Sequence, residues 1–381
     1  VIEVYSAEVT SLHVDGSIVI TNDLVTIAFK NNCTIRGNLI LQGRGINIYG
    51  EATFLWGTLT VLSGADFAQV NLQTIYASEV SPSGGADATY DITDGIYINA
   101  NDCIVNVDNL TWRIDTAAGN NSGIRILSAL RASVTVTKQF NKIASQDYTD
   151  NNAFVLMDFA FESSVDVSNV SEISTGDGAW LIRAGDTSGN TTPPTRQNAN
   201  TVRFRGRCES GKMISCIGAV GLIVIADTLE SLEDSYNVQN GHGSAGIGIT
   251  GHDTLNTIYG YVMVDCPISR LRGAGSPVTT RNHGRVAFIQ PTNIQWVSGS
   301  FLTTENTAAI AMPEPTLHTS GGIFRSLTSL DEFLDDSGAN PTLRVQNSAP
   351  VYTNVVGTSM GAVTVRGASF TYGATLLFIQ P

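Results

Sequence analysis

Short runs in which apolar and polar residues alternate recur along the chain in groups. The first run of each group, which we call the leading run, begins with a small residue. These leading runs begin with Gly or Ala and lie at 95–98, 123–126, 153–156, 179–182 and 246–249. Alternation with a period of two residues is typical of a β-strand that has one buried face. The pattern therefore predicts strands rather than helices.

Two further alternating runs follow each leading run. The second runs lie at 104–107, 134–136, 165–167, 202–204 and 222–225, and the more polar third runs lie at 110–112, 140–143, 170–173, 208–209 and 229–232. Three short strands in a repeat of roughly 25 to 35 residues are typical of one coil of a parallel β-helix, in which each strand pairs with its equivalents in the adjacent coils. We therefore predict an all-β solenoid.

The same pattern divides the chain into three segments. Residues 1–76 carry closely spaced short strands that end in Gly or Asn, which predicts early compact coils. Residues 77–300 predict the regular β-helix, with polar loop insertions that form the walls of a groove. Residues 301–381 lose the repeat and predict an irregular segment with a small C-terminal β cap or oligomerisation region. One short helix is predicted at 327–334.

Composition narrows the class of protein. Of the 381 residues, 42% are hydrophobic and 14% are charged, which excludes a disordered chain. The net charge of -13 argues against nucleic acid or an anionic membrane as a partner. No apolar run reaches the roughly 18 residues of a membrane span, and no signal-peptide pattern is found. The cysteines lack CxxC spacing and predict small buried side chains: Cys33, Cys103, Cys208, Cys216 and Cys266.

Strand alternation also identifies outward polar side chains, because every second residue of a strand faces away from the core. On the third runs these are Arg113, Lys142, Glu172, Glu209, Glu230 and Arg270, and on the second runs they are Asn106, Thr135, Asp166 and Arg203, followed by Asp227. Three of them, Glu172, Glu209 and Glu230, are carboxylates in consecutive coils. We therefore predict a ladder of acids along one outer face.

Such a ladder suits acid–base chemistry on sugars. Neighbouring strands lie about 4.8 Å apart, so acids one or two coils apart approach the spacing of the two carboxyls in retaining or inverting glycosidases. Stacked carboxylates also raise the pKa of one partner, as a general acid requires. The ladder equally fits a solvated surface, and Glu209 also fits a charge ladder with Arg203 and Arg205.

A second group of candidates lies in loops that precede leading runs. His242 and His283 have Arg281 and Arg285 nearby, and a neutral histidine base beside an arginine is the equipment of a polysaccharide lyase. Polar Gly-rich turns of this kind are equally ordinary corners. Aromatic rings that could stack on sugars are those of Tyr76, Tyr97, Tyr236 and Tyr259.

The chain resembles a known family in several features. These are the stacked coils from 18 to about 301, the outward acids, the Gly and Asn corners, the acidic balance and the β-rich tail after Asn340. This family is the bacteriophage tailspikes and capsular polysaccharide depolymerases of the parallel β-helix type. The resemblance implies a right-handed β-helix assembled as a homotrimer on the virion, acting extracellularly on the host cell surface. It also implies attachment to the phage tail or baseplate through an N-terminal part that precedes this chain.

We accordingly predict an endo-acting glycoside hydrolase that depolymerises bacterial capsule or O-antigen polysaccharide. Its predicted catalytic residues are Glu209 and Glu230, with Glu172 and Asp227 as the next candidates. Its predicted substrate-binding residues are Arg203, Arg205, His242, Tyr236 and Arg270. No cofactor or metal is expected. The alternatives are a lyase that acts at a uronic acid through His242 or His283, and a non-catalytic glycan-binding adhesin.

Overall fold

The computed structural model describes most of the chain up to residue 231 and separate strands after it. The described ranges are 2–5, 12–30, 32–78, 94–114, 121–144, 152–174, 180–185, 199–210, 212–217, 220–231, 247–250, 261–266, 268–270, 278–281, 285–288, 293–295, 302–304, 309–311 and 324–325. The helix predicted at 327–334 and the β runs predicted after Asn340 lie outside these ranges.

Strands make up every regular element in these ranges. Up to residue 210 they are β1 (Ile2–Tyr5), β2 (Leu12–Asp15), β3 (Ile18–Ile20), β4 (Thr26–Lys30), β5 (Cys33–Arg36), β6 (Leu39–Leu41), β7 (Asn47–Trp56), β8 (Leu59–Val61), β9 (Gln69–Ser78), β10 (Asp94–Ile98), β11 (Ile104–Ile114), β12 (Ser122–Leu127), β13 (Ser133–Ala144), β14 (Ala153–Asp158), β15 (Ser164–Ser174), β16 (Trp180–Gly185) and β17 (Thr201–Ser210).

The remaining strands are shorter. They are β18 (Lys212–Ile217), β19 (Val220–Ala226), β20 (Thr228–Ser231), β21 (Ile247–Thr250), β22 (Tyr261–Asp265), β23 (Ile268–Arg270), β24 (Val278–Arg281), β25 (Arg285–Phe288), β26 (Asn293–Gln295), β27 (Leu302–Thr304), β28 (Ala309–Ala311) and β29 (Phe324–Arg325). The described ranges thus contain strands and no helix, and the all-β prediction is confirmed. Within those ranges no helix is long and apolar enough to cross a membrane.

The chain forms two compact units, Val1–Arg183 with Ala199–Ser210, and Ala184–Asn198 with Gly211–Pro381. In the first unit, the leading runs form β10, β12 and β14, which pair in parallel in that order. The other runs form β9, β11, β13, β15 and β17, which also pair in parallel in that order. Each repeat therefore adds one strand to each of two parallel sheets, as in a solenoid.

The second unit repeats this parallel pairing. One series joins β18, β21, β24 and β27, a second joins β19, β22, β25, β28 and β29, and a third joins β20, β23 and β26. Strands β27, β28 and β29 lie beyond residue 300, so parallel pairing extends past the start of the predicted irregular segment. The division into three segments remains a prediction.

The prediction of three separate strands per coil is wrong in the central coils, where the second and third runs form one long strand. In β11 these runs are continuous, and the register against β13 shifts between Val107 and Asn109. A similar shift between β15 and β17 lies at Ser168 and Val170, beside Asn169, which has a positive φ of 53°. An irregularity of this kind bends a strand without ending its hydrogen bonding.

Buried side chains stack in register along the first unit. One ladder consists of Ile35, Leu55, Ile75, Leu110, Phe140 and Val170. Another consists of Val70, Val105, Val134, Val165 and Val202. Each of these side chains is at most 2% exposed. Since burial of one such side chain contributes about 1.5 to 3 kcal/mol, the ladders supply a large part of the stability of the first unit.

At Gly123, side-chain packing explains why a leading run begins with a small residue. A Cβ atom built on Gly123 would collide with the ring of Phe140 in the next strand along the chain. Gly123 therefore leaves the space that the largest member of the first ladder fills. The five cysteines are free and buried, which confirms the prediction made for them.

Candidate functional site

The predicted carboxylates lie at the expected strands, but most of their side chains lie outside the described part of the structure. Glu172 belongs to β15, Glu209 to β17 and Glu230 to β20. Asp227 is exposed and lies between β19 and β20. Arg270 ends β23, and its side chain is likewise not described. His242, His283 and Tyr236 lie wholly outside the described residues, so their roles remain predictions.

The predicted outward row on the second runs is confirmed for its described members. Asn106, Thr135 and Asp166 follow one another in register, with partly exposed side chains, and Arg203 follows Asp166 as an exposed residue. Asn106 donates from Nδ2 to Oδ1 of Asn71 in the preceding coil, at 2.8 Å. This row is therefore polar and accessible along its length.

Arg205, a predicted substrate-binding residue, is already bound within the protein. It donates from Nε to Oδ1 of Asp166 at 3.1 Å and from Nη2 to Oδ2 at 2.6 Å. The two side chains remain 59% and 31% exposed. An exposed ion pair of this kind contributes little to stability. It does, however, occupy the edge of Arg205 that would otherwise bind an anionic ligand.

Lys142 corrects the sequence-based assignment of the third runs. Its side chain was expected to point outward, but it is 1% exposed. The ammonium nitrogen lies 6.0 Å from the ring centre of Trp112 and 5.8 Å from that of Phe154. Lys142 pairs in register with Trp112 on one side and Glu172 on the other. Lys142 lies two residues after the buried Phe140 and so shares its face, and the aromatic rings stabilise the cation there.

The described register between β15 and β17 ends before Glu172 and Glu209, so the alignment of the acid ladder remains a prediction. Val170 in β15 pairs with Cys208 in β17. Glu209 directly follows Cys208, whereas Glu172 lies two residues after Val170.

A neutral polar row does continue across the third runs. It consists of Tyr76, Thr111, Asn141 and Ser171, which lie in register on β9, β11, β13 and β15 and are all partly exposed. Ser171 donates from its hydroxyl to Oδ1 of Asn141 at 2.7 Å. Gln139 donates from Nε2 to the same oxygen at 2.9 Å. We call these four register-matched residues the polar row.

An aromatic pair lies at the start of the polar row. The rings of Phe54 and Tyr76 are stacked, with centroids 6.1 Å apart and an angle of 24° between their planes. Beside them, the Arg36 guanidinium lies 5.6 Å from the ring centre of Trp56, whose indole NH donates to the carbonyl of Ser78 at 3.2 Å. Aromatic faces beside amides and hydroxyls provide the apolar and polar contacts that a sugar ring needs.

A separate buried cluster lies on β10 and β12. Asp94 is 6% exposed and accepts the backbone NH of Ser122 at 2.8 Å. Its other oxygen lies 3.6 Å from Nη1 of Arg125. The Arg125 guanidinium lies 5.8 Å from the ring centre of Tyr97. Loss of hydration on burial raises the pKa of Asp94 to about 6, although Arg125 and the Ser122 hydrogen bond act in the opposite direction.

The pKa values of two other aspartates move in the opposite direction to that of Asp94. The pKa of Asp102 is lowered, first by its hydrogen bonds from Arg131. The pKa of Asp108 is lowered by hydrogen bonds from Lys138 and then Thr137. Both are surface ion pairs. Among Asp94, Asp102 and Asp108, Asp94 is the one whose pKa is raised.

Sequence reasoning did not identify Asp94 or Arg125 as functional residues. Asp94 precedes a leading run and reads as an ordinary turn residue. Arg125 occupies the outward position of a leading run and is the charged residue of that run. A signal did exist, since Tyr97 and Arg125 occupy equivalent positions in consecutive repeats.

No group of three or more His, Cys, Asp or Glu residues in the described ranges could hold a metal ion. No family model, curated protein or solved structure matches the chain.

Proposed function

We propose that the chain is a right-handed parallel β-helix that binds and depolymerises bacterial surface polysaccharide by endo-glycoside hydrolysis. In this proposal it belongs to a homotrimeric phage tailspike on the virion. Glycan binding along the outer face and cleavage by paired carboxylates are its two functions. The fold by itself does not select an activity, so the proposal rests on the character of the outer face.

The observation that supports it is the polar row with its aromatic pair. Parallel strands about 4.8 Å apart present Tyr76, Thr111, Asn141 and Ser171 at regular intervals. These groups carry no charge and include both donors and acceptors. They suit the hydroxyl groups of successive sugars along an extended chain, while the stacked rings of Phe54 and Tyr76 suit the apolar face of a sugar.

Cleavage is assigned to Glu209 and Glu230. In this mechanism one carboxyl donates a proton to the glycosidic oxygen, and the other attacks the anomeric carbon or activates water. Glu172 is less suited to this chemistry, because its register partner Lys142 is buried. Asp227 is exposed and remains a candidate.

The test uses a panel of capsular and O-antigen polysaccharides. Binding is measured first, with Tyr76→Ala and Asn141→Ala beside the parent protein. Each variant removes one contact from the polar row, so we expect affinity to fall roughly tenfold, since one lost contact of this size is worth about 1.4 kcal/mol. Gln42→Ala, at an exposed position outside the row, is the matched control. Equal binding by all four proteins would remove the polar row from the proposal.

Product analysis separates the catalytic alternatives. Hydrolysis yields shortened saturated oligosaccharides, and Glu209→Gln or Glu230→Gln should then reduce the rate by orders of magnitude. A lyase acting through His242 or His283 yields unsaturated products that absorb ultraviolet light. Unimpaired cleavage by both glutamine variants would show that the catalytic pair lies elsewhere.

A non-catalytic adhesin is the second candidate. It is favoured by the ion pairs of described surface acids, since Asp166 is bound by Arg205 and Asp108 by Lys138. Carboxylates held in this way can accept hydrogen bonds but are poor proton donors near neutral pH. Binding of a polysaccharide without any product would support this alternative.

A further inference from the structure

The cluster on β10 and β12 brings four side chains of different chemistry together. Asp94 pairs in register with Ser122, and Tyr97 pairs in register with Arg125. The Asp94 carboxyl and the Arg125 guanidinium form an ion pair at 3.6 Å, a distance longer than a hydrogen bond. The guanidinium also lies over the face of Tyr97. Arg125 is thus held by a carboxylate and an aromatic ring, which together fix its plane.

The cluster contains polar atoms that the protein does not satisfy. Nε of Arg125 and the hydroxyl oxygen of Ser122 are buried and have no hydrogen-bond partner. Ser122 itself is 0% exposed. A buried donor without an acceptor costs about 1 to 3 kcal/mol, so two of them in one place need an explanation. An acceptor from outside the chain supplies one.

Arg125 remains reachable from solvent. Its side chain is 22% exposed, compared with 7% for that of Asp94. Its register neighbour on the far side is Leu156, which is apolar and buried, and Thr60 pairs with Tyr97 on the near side. Asp94 forms the ion pair with Arg125, and the buried Asp158 lies on β14 two residues beyond Leu156. The guanidinium has five donors, and Asp94 uses only a part of them.

We propose that Arg125, supported by Asp94 and Tyr97, binds the carboxylate of an acidic sugar, such as a uronic acid residue of the polysaccharide. The arginine fork matches a carboxylate, and Tyr97 stacks beside the sugar ring. Asp94 is a positioning residue that holds the guanidinium. This inference rests on the proposed function, because it names the class of sugar that the outer face accepts.

The charge of the whole chain makes such a subsite necessary for an acidic glycan. A protein of net charge -13 repels an anionic polymer at long range. Arg125, which has unused hydrogen-bond donors, compensates for that repulsion where the acidic sugar contacts the protein. The polar row is neutral and lacks this property, so the two surfaces would recognise different parts of a repeat.

Asp94 gives the subsite a measurable pH dependence. A bound carboxylate beside Asp94 favours the protonated form of Asp94, because two like charges in a poorly hydrated site repel. Binding therefore takes up a proton, and affinity increases as the pH falls toward about 6, the pKa of Asp94 in the free protein, and levels off below it. Replacement of Asp94 by Asn should remove this dependence, because the amide imitates the protonated carboxyl.

The experiment measures binding of glucuronate, with glucose as the neutral control, by nuclear magnetic resonance titration between pH 5 and 8. We expect glucuronate to bind the parent more tightly at the acidic end and glucose to bind much less. Arg125→Gln should weaken glucuronate binding roughly tenfold or more, and Arg125→Lys should weaken it less. Asp94→Asn should bind glucuronate with little change across this range. Arg131→Gln, which breaks the exposed pair with Asp102, is the matched control and should bind as the parent does.

Circular dichroism of each variant confirms folding before the titration. Glucuronate binding that is unchanged in both Arg125 variants would overturn the proposal, as would absence of binding to the folded parent. A failure of the proposed function appears differently. In that case glucuronate binds in an Arg125-dependent way, while no polysaccharide of the panel is bound or cleaved.

Discussion

Among the described residues, Asp94 and Lys142 are ionisable side chains that the fold buries beside named partners. Asp94 is 6% exposed and Lys142 is 1% exposed. Burial disfavours the charged form of Asp94, which the nearby Arg125 opposes, and the ammonium group of Lys142 lies beside the ring of Trp112. Their effects on the free energy of unfolding can be measured separately. The effect of Asp94 depends on pH, and the effect of Lys142 depends on its register partner Glu172.

The raised pKa of Asp94 predicts a loss of stability with increasing pH. Its pKa is about 6 in the folded protein against 3.8 as the ordinary value, so the folded state binds the proton more tightly than the unfolded state. The contribution of Asp94 is fully present below about pH 4, falls as the pH rises toward 6 and is absent above it. The total is on the order of 3 kcal/mol.

Urea denaturation between about pH 4 and 8 tests this prediction, with Asp94→Asn as the reference. The unfolding free energy of the parent should fall relative to that of the variant as the pH rises. A constant difference between the two proteins over this range would show that Asp94 titrates normally.

Lys142 predicts a structural role for Glu172. The two residues pair in register, and a buried ammonium group requires compensation. We expect Lys142→Met and Glu172→Gln each to lower the unfolding free energy by about 3 kcal/mol. The double variant should lose less than the sum, because each single change leaves the other charge without its counterpart.

Lys138→Met provides the control for that cycle. Lys138 forms an exposed pair with Asp108 at 2.7 Å and should cost less than about 1 kcal/mol when replaced. If the losses of unfolding free energy from Lys142→Met and Glu172→Gln are additive in the double variant, Lys142 and Glu172 do not interact. Lost activity with unchanged stability in Glu172→Gln would instead support the catalytic role predicted for Glu172 from the sequence.

At the level of elements, asparagine and aspartate side chains connect the corners of successive coils. Asp66 accepts the backbone NH of Asn101 at 2.7 Å, and Asn101 in turn accepts that of Leu130 at 2.9 Å. Asn152 accepts the NH of Asn121 at 3.0 Å. Corners have no strand partner, so these side chains satisfy backbone groups that the sheets leave open. Each corner is thereby aligned with the next one.

Asn200 is the corner residue with the largest expected effect. It is 2% exposed, accepts the NH of Ser163 at 3.0 Å and donates to the carbonyl of Ala160 at 2.8 Å. Asn200→Ala removes both hydrogen bonds and leaves a buried NH without its acceptor. We expect a loss of about 2 kcal/mol, measured by urea denaturation.

Gln73→Ala, at an exposed position in β9, should change the free energy of unfolding by less than about 0.5 kcal/mol. If Asn200→Ala is as stable as this control, corner hydrogen bonds do not hold the coils in register.

At the scale of the whole molecule, the parallel strands stack apolar side chains into ladders, and few residues are charged. Most of the stabilisation therefore comes from contacts within these ladders. Contacts between consecutive coils are therefore more important than any single residue. A stack of this kind has open ends and exposed strand edges that must be covered. The proposed homotrimer provides such cover.

Sedimentation equilibrium tests the assembly directly. We expect a mass three times that of the chain at micromolar concentration, because covering a solenoid surface in a stable oligomer requires a large interface. The mass should stay constant on dilution and in high salt. A monomer under these conditions would contradict the homotrimer.

The sequence by itself determined which runs form strands, their parallel pairing and the apolar ladders of the core. Alternation is a local property, and the repeat places equivalent residues such as Val105 and Val134 in adjacent coils without further information. The outward placement of Asn106 and Arg203 followed from the same rule. These predictions needed only the period of the strands and the spacing of the repeats.

The tertiary structure alone decided the faces of irregular strands and the environment of charged groups. Register shifts near Val107 and Ser168 change which side of the strand later residues occupy, and no local signal in the sequence counts them. Lys142, two residues after the buried Phe140, is buried beside Trp112, and Asp94 is enclosed with Arg125. Burial and pKa depend on atoms distant along the chain, so alternation could not determine them.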